Sequence, residues 1–365
     1  MSQATTSPPT ASSMQTLAKS GLFGYLRDGR RVFWYSVEHH DGVSFAVSEF
    51  GSTLLTLRTP SRNGRLDSIV LGYSTLDEYI RDNAYIGATV GRFTNRIRAA
   101  QFPLENRQIQ LTANEGNNHH HGGAVGFSKR LWRGEVIERG NRHAIRMLLD
   151  SGDGDEGYPG NLSASVTFFM PDEERLLVEF EATTDKPTPV SMTLHPYFNL
   201  SGHAGDVLNH RLQLFAENFL EVQLDGLPTG QLLPVHSTPM DFRRCHAVGE
   251  RINLPHEQLV RVSGYDHCYT FDKATEDELT RMAFVREVES GRWLEVYSNA
   301  PGLQFYSGNF LGDSGVSAMF RPHAGLCLEP QAWTDAPNHP DFPDTILHPG
   351  QSYHHRIEYR FGAEG

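Results

Sequence analysis

Cysteine is nearly absent from this chain. Three occur in 365 residues, Cys245, Cys268 and Cys327, an odd count with no C-x-x-C pair. Neither a disulfide framework nor a thiolate zinc site is indicated. The usage fits a reducing compartment, and a cytoplasmic location is expected. Positive charge is also in deficit, with 32 Lys and Arg against 44 Asp and Glu, a formal net charge of −12. A polyanion needs a basic surface, so nucleic acid is excluded as a general partner. No run approaches the roughly 18 apolar residues of a membrane-spanning helix, so no membrane association is expected. The first 20 residues lack an apolar signal region. They are rich in Ser, Thr, Ala and Pro, with Lys19 their only charged side chain. Residues 1–24 are therefore read as a disordered tail, and residues 25–365 as a single domain.

Helical periodicity is scarce as well. Thr75 before Leu76-Asp-Glu-Tyr-Ile80 predicts a short capped helix, and 274–280 a second. What the chain has instead is a succession of short β-type runs. They include 32–37, 43–50, 53–57, 68–71, 144–149, 162–169 and 175–182, then 212–215, 282–288, 293–298, 303–306 and 356–361. Several alternate apolar and polar residues, as in Leu176-Leu-Val-Glu-Phe-Glu. Turn clusters such as Asn63-Gly64, Pro159-Gly160-Asn161 and Asp225-Gly226 separate them. The class predicted is all-β, a large sandwich or barrel with few short helices.

Polar side chains gather in a few stretches. Ser191-Met-Thr-Leu-His195-Pro-Tyr-Phe-Asn-Leu200 sets one histidine among strand formers, where its neighbours can dry and tune it. Asn95 and Arg96 bring donors suited to hydroxyls or a carboxylate. His119-His120-His121 is followed by Gly122-Gly123. In an extended chain only His119 and His121 share a face, too few imidazoles for a catalytic zinc, so no metal is expected. The paired glycines would permit unusual dihedrals or a close ligand approach. The acidic stretch 151–160 lacks the full calcium-loop pattern and reads as a structural turn. Asp266 lies between Tyr265 and His267, a setting that suits carbohydrate. Glu329 follows an apolar run, where a charge must be paired or put to use.

In their order, these pieces resemble the aldose 1-epimerase (galactose mutarotase) family. They are GRFTNRI at 91–97, NNHHHGG at 117–123, DGDEGYPG at 153–160, TLHPYFNL at 193–200 and YDHCY at 265–269. PGLQFYSGNF at 301–310, GLCLEPQAW at 325–333, DAPNHPDFP at 335–343 and LHPGQSY at 347–353 complete the set. The resemblance implies a large antiparallel β-supersandwich with an open sugar cleft, acting on a monosaccharide without cofactor or metal. It implies His195 as the acid and Glu329 as the base. It implies Asn95, Arg96, His121, Asp266 and Gln304 as holders of the sugar hydroxyls. His120, where the family often has leucine, is a departure.

The implied activity interconverts the α and β anomers of free aldohexoses such as galactose and glucose by opening and reclosing the ring. One base must take the C1 hydroxyl proton while one acid protonates the ring oxygen. For this, Glu329 is expected ionised and His195 cationic near neutral pH, each favoured by the other and by Asp266. Three alternatives draw on these residues. A hexose-6-phosphate epimerase would need extra cations at the cleft, for which Arg92, Arg98 and Arg243 are available. A non-catalytic carbohydrate-binding sandwich would need no His/Glu pair. A glycosidase using Glu329 and Asp266 would leave the His195 stretch unexplained. Monomer and homodimer are both compatible with the sequence.

Overall fold

The alternation at 176–181 lies in the strand Arg175–Thr184 of the computed structural model. Leu176, Val178, Phe180 and Ala182 point inward and are buried, while the residues between them are partly or fully exposed. The structure describes residues 15–202, 205–272, 278–313 and 315–364. Among these, every sheet is antiparallel, and the only α-helices are Leu76–Arg81 and Glu257–Arg261. The fold is the large antiparallel β-supersandwich expected.

Three large sheets form its body, with four two-stranded ladders beside them among the described residues. The N-terminal sheet has Thr16–Tyr25, Arg31–His39, Ser44–Ser48, Thr53–Pro60 and Leu66–Ser68 side by side in chain order. The largest sheet has nine strands. One half descends in order from Arg133–Arg139 through Arg142–Ser151 and Leu162–Asp172 to Arg175–Thr184. The other half holds Arg292–Ser298, Thr280–Arg286, Arg211–Leu214 and His246–Ala247. Tyr353–Ala363 lies between the halves, paired with Arg175–Thr184 on one side and Arg292–Ser298 on the other. The third sheet orders Pro228–Pro234, Asn218–Val222, Asp266–Thr270, Gly302–Tyr306 and Cys327–Gln331. Its inward faces share one apolar core with the other two, from Phe45 and Phe168 through Tyr269 and Phe305 to Tyr359.

The short helix forms as its sequence dictates. Thr75 caps it, and Glu78 returns a bond from its carboxylate to the Thr75 backbone N–H at 2.8 Å. The 274–280 candidate lies mostly outside the described residues, and its last residue, Thr280, opens a strand. The boundary expected at residue 24 is corrected. Thr16–Tyr25 is an edge strand paired along Arg31–His39. Its sequence reads as a tail because backbone pairing, rather than burial, holds it: Leu17, Leu22 and Tyr25 stay exposed. Gly21, which looks like a flexible residue, is there for contact, since a Cβ would come within 2.9 Å of the Trp34 ring.

Arg92 ties the loop that carries Asn95 and Arg96 to the 151–160 turn. Its guanidinium is buried and donates to Ser151 Oγ, Ser151 O, Gly152 O and Pro159 O at 2.8–3.0 Å. The acids of that turn are paired one by one, Asp153 with Lys186 and Asp155 with Arg130. Replacing the guanidinium leaves one buried and two half-buried carbonyls and a hydroxyl without their donor. Arg92→Met should lower unfolding free energy by about 3 kcal/mol, read from urea denaturation. A loss well under 1 kcal/mol would show that the clamp does not hold the loop.

Candidate active site

Three neighbouring strands deliver three of the seven candidate side chains. Asp266 opens Asp266–Thr270, Gln304 is central in Gly302–Tyr306, and Glu329 is central in Cys327–Gln331. Gln304 stands directly opposite Glu329 across the ladder, and Tyr306 stands opposite both Asp266 and Cys327. The register fixes the rest. Gln304 Nε2 donates to Asp266 Oδ1 at 2.6 Å. Gln304 Oε1 and Glu329 Oε2 are buried and have no partner among the described residues. Two orphaned acceptors in a dry place wait for donors.

His195 approaches from the opposite wall. It follows the two-residue strand Thr193–Leu194, its N–H donates to Ala88 O, and its carbonyl accepts from Gly87 N–H, both at 2.9 Å. Its Nε2 lies 3.6 Å from Glu329 Oε1, with both side chains buried. His121 and Asn95 come from a third direction. Each adopts a left-handed backbone, φ 48° and 65°, which non-glycine residues rarely do. Mutual bonds hold the pair there. His121 N–H donates to Asn95 O at 3.0 Å, and Asn95 N–H donates to His121 Nδ1 at 3.2 Å. Gly122 beyond them must be glycine, because a Cβ would meet the Gly91 carbonyl at 1.7 Å. The close approach that the Gly-Gly pair permits is thus to backbone at Gly122 and to the Glu156 carboxylate at Gly123. Asn95 Oδ1 accepts from Arg96 N–H. Arg96 forks onto Glu115 through Nε and Nη2 at 2.7 and 2.8 Å, which turns Nη1 towards Asp266 at 3.9 Å.

All seven, with Asn95 and Arg96 at one side and Glu329 at the other, line one cleft of about 340 Å³. It also contains Tyr85 and Glu115, which lie outside the motifs, and His120, Tyr197, Tyr306 and Phe310 from within them. Tyr85 stacks on His195 with ring centroids 6.0 Å apart and packs at 4.6 Å on His121. Its only sequence signal is an aromatic in the Asp82-Asn-Ala-Tyr85 turn. His120 lies 3.8 Å from the His121 ring and 3.8 Å from Glu115 Oε1.

The charge states differ from those expected. Burial holds the His195 imidazole down at about 4. Burial also pushes the Glu329 carboxyl well above its ordinary range, and the Asp266 charge adds to that rise. Asp266 therefore opposes ionisation of Glu329. The dry surroundings favour neutral imidazole beside neutral carboxyl. His120 and His121 are likewise held neutral, by burial first, then by His121 and Arg96 for His120 and by His195 and Arg96 for His121. His121 Nδ1 accepts the Asn95 N–H, so its proton sits on Nε2. His121, His195 and Glu329 are close enough to surround a cation. With one His121 nitrogen accepting and the other protonated, that ring has no lone pair left to give one.

A sequence profile described as aldose 1-epimerase matches residues 34–360. An aldose 1-epimerase of Escherichia coli (strain K12) is 37% identical over 342 residues, which cover 92% of this chain and 97% of that protein. A galactose mutarotase of Homo sapiens is 37% identical over 348 residues, covering 94% and 98%. Among solved structures, a galactose 1-epimerase from Lactobacillus acidophilus NCFM superposes with a TM-score of 0.84 at 26% identity, over 97% of this chain and all of that one.

The neutral imidazoles set a pH dependence of stability. His195 and His210 are depressed from 6.5 to about 4 and His267 to about 3 by burial, and His119, His120 and His121 are lowered too. Below pH 6.5 the unfolded chain protonates these rings and the folded one does not, so stability is lost as pH falls towards 4. Glu329 and Asp266, both raised, act in the opposite sense but are only two. The urea midpoint should drop steadily between pH 6.5 and about 4. A flat midpoint across that window would mean the rings are charged in the fold.

Proposed function

The chain belongs to the aldose 1-epimerase family, and from that premise we propose that it interconverts the α and β anomers of free aldoses, galactose and glucose among them, with His195 as general acid and Glu329 as general base. The observation that carries this reading is the buried His195–Glu329 pair, 3.6 Å apart in a cleft lined with hydroxyl-binding groups. O1 and O5 of a pyranose share the anomeric carbon. Their proton-transfer partners must therefore also lie side by side.

In the ring-opening step, the Glu329 carboxylate takes the proton from the C1 hydroxyl. His195 Nε2–H gives its proton to O5, the C1–O5 bond breaks, and the aldehyde forms. The pair is left as neutral carboxyl and neutral imidazole. Rotation about C1–C2 exposes the other aldehyde face, and the two transfers run backwards. The ionic and neutral pairs hold the same number of protons, so no exchange with solvent is needed. Burial favours the neutral pair, which is the state that accompanies the open-chain sugar.

Around the sugar, Arg96 Nη1, the Asn95 amide nitrogen and His121 Nε2–H are the donors, and Asp266 and Gln304 Oε1 the acceptors. Tyr306 and Phe310 bring aromatic surface for apolar sugar faces. A 6-phosphate is poorly served. Arg92 is buried on the 151–160 turn, Arg243 is paired with Asp241 and Glu217, and Arg98 lies against Asp335 at 3.4 Å. A non-catalytic binder would not need a drying wall behind the His/Glu pair. No helix among the described residues is long and apolar enough to cross a membrane. Three free thiols support a reducing, cytoplasmic setting.

Glu329→Gln and His195→Ala should each slow mutarotation by roughly 10²–10⁴-fold while the protein stays folded, as followed by polarimetry on freshly dissolved α-D-galactose. Near-normal turnover in folded Glu329→Gln would remove the base assignment. Arg96→Met should act mainly on KM, raising it roughly tenfold by loss of charge-assisted bonds. An unchanged KM would place the sugar elsewhere.

A further inference from the structure

One strand faces both nitrogens of the His195 ring. Nε2 lies 3.6 Å from Glu329 Oε1, and Nδ1 lies 3.6 Å from Cys327 Sγ. Cys327 and Glu329 are two residues apart on Cys327–Gln331, so strand alternation turns both to the same face. The remaining titratable groups around the ring are Tyr85, Tyr197 and His121, with centroids at 6.0, 5.0 and 5.3 Å. They meet it as aromatic neighbours. Its own backbone carbonyl is also near the ring; that oxygen accepts the Gly87 N–H, so any ring N–H there shares it as a second bond.

The chemistry constrains Nδ1. Once His195 has given its Nε2 proton to the sugar, the remaining proton must sit on Nδ1, with the Nε2 lone pair open to take a proton back. A group must accept the Nδ1–H throughout. The Cys327 thiol is fully buried and remains protonated, because burial and the nearby Glu329 and Asp266 push it well above its ordinary range. Its other side-chain partner is the Tyr197 hydroxyl.

We infer that Cys327 is a positioning residue for His195, its sulfur accepting the Nδ1–H and fixing the tautomer that leaves Nε2 to the cleft. A carboxylate in this place would do the same but would stabilise the protonated ring more strongly. Sulfur is a weak, uncharged acceptor. That suits an imidazole which must gain and lose its charge within each turnover. The inference rests on the reading of His195 as the acid.

The test compares Cys327→Ala, Cys327→Ser and His195→Ala with the unaltered protein, by polarimetry and by ¹⁵N spectra of histidine-labelled protein. Cys327→Ala should lower kcat about tenfold with KM changed by less than about twofold. Cys327→Ser, whose hydroxyl also donates and accepts, should recover most of the loss. In the unaltered protein the neutral His195 ring should carry its proton on Nδ1, and in Cys327→Ala the two tautomers should mix. Unchanged kcat in folded Cys327→Ala overturns the inference, as does a ring protonated on Nε2 in the unaltered protein. The latter spectrum decides even if the alanine variant does not fold. An inactive His195→Ala in the same series confines that failure to Cys327. An active one removes the acid reading itself.

Discussion

Taking an imidazole and a carboxyl group out of water together is the constraint on which the rest of this structure depends. Either group alone would be costly to bury in its charged form, and at 3.6 Å the two cannot be treated separately. The dry pair has two arrangements of the same protons, ionic and neutral. A site that keeps these close in energy moves protons cheaply. The surrounding architecture serves that end by excluding water on both sides of the pair. Tyr85 and Tyr197 cover His195, and the core beneath Cys327–Gln331 covers Glu329.

The sugar-holding groups obey the same logic at lower cost. Asp266 and Arg96 are charged types near the cleft, yet each is partnered, by Gln304 and by Glu115. His121 contributes a neutral donor whose direction is set by a backbone N–H. Fixed partners mean that little reorganisation is needed when a sugar arrives. The left-handed pair at Asn95 and His121 stores local strain in a functional loop, and Arg92 anchors that loop from behind.

Much of this was legible in the sequence. Alternation at 176–181 and the Thr75–Glu78 pairing act locally, and both took the form their patterns dictate. The seven candidate side chains meet in one cleft because their motifs sit at fixed places on the strands and loops that build it. The protonation states were not legible. A sequence shows that a histidine and a glutamate attract, but not that both lose their water, and that loss is the larger effect here. Tyr85 was missed because it belongs to a turn with no apolar period. The strand Thr16–Tyr25 was missed because an edge strand needs no hydrophobic face, only a neighbour to pair with.

The place of Tyr353–Ala363 between the two halves of the nine-stranded sheet bears on how the chain is made. Four strands on one side and four on the other have no direct ladder to each other. During synthesis each half can form its hairpins as it emerges, but the seam stays open until residues 353–363 leave the ribosome. Two strand edges rich in unpaired N–H and C=O groups are meanwhile exposed. Nascent chains stalled before this strand carry every proposed catalytic residue, yet lack the piece that joins the walls behind the cleft.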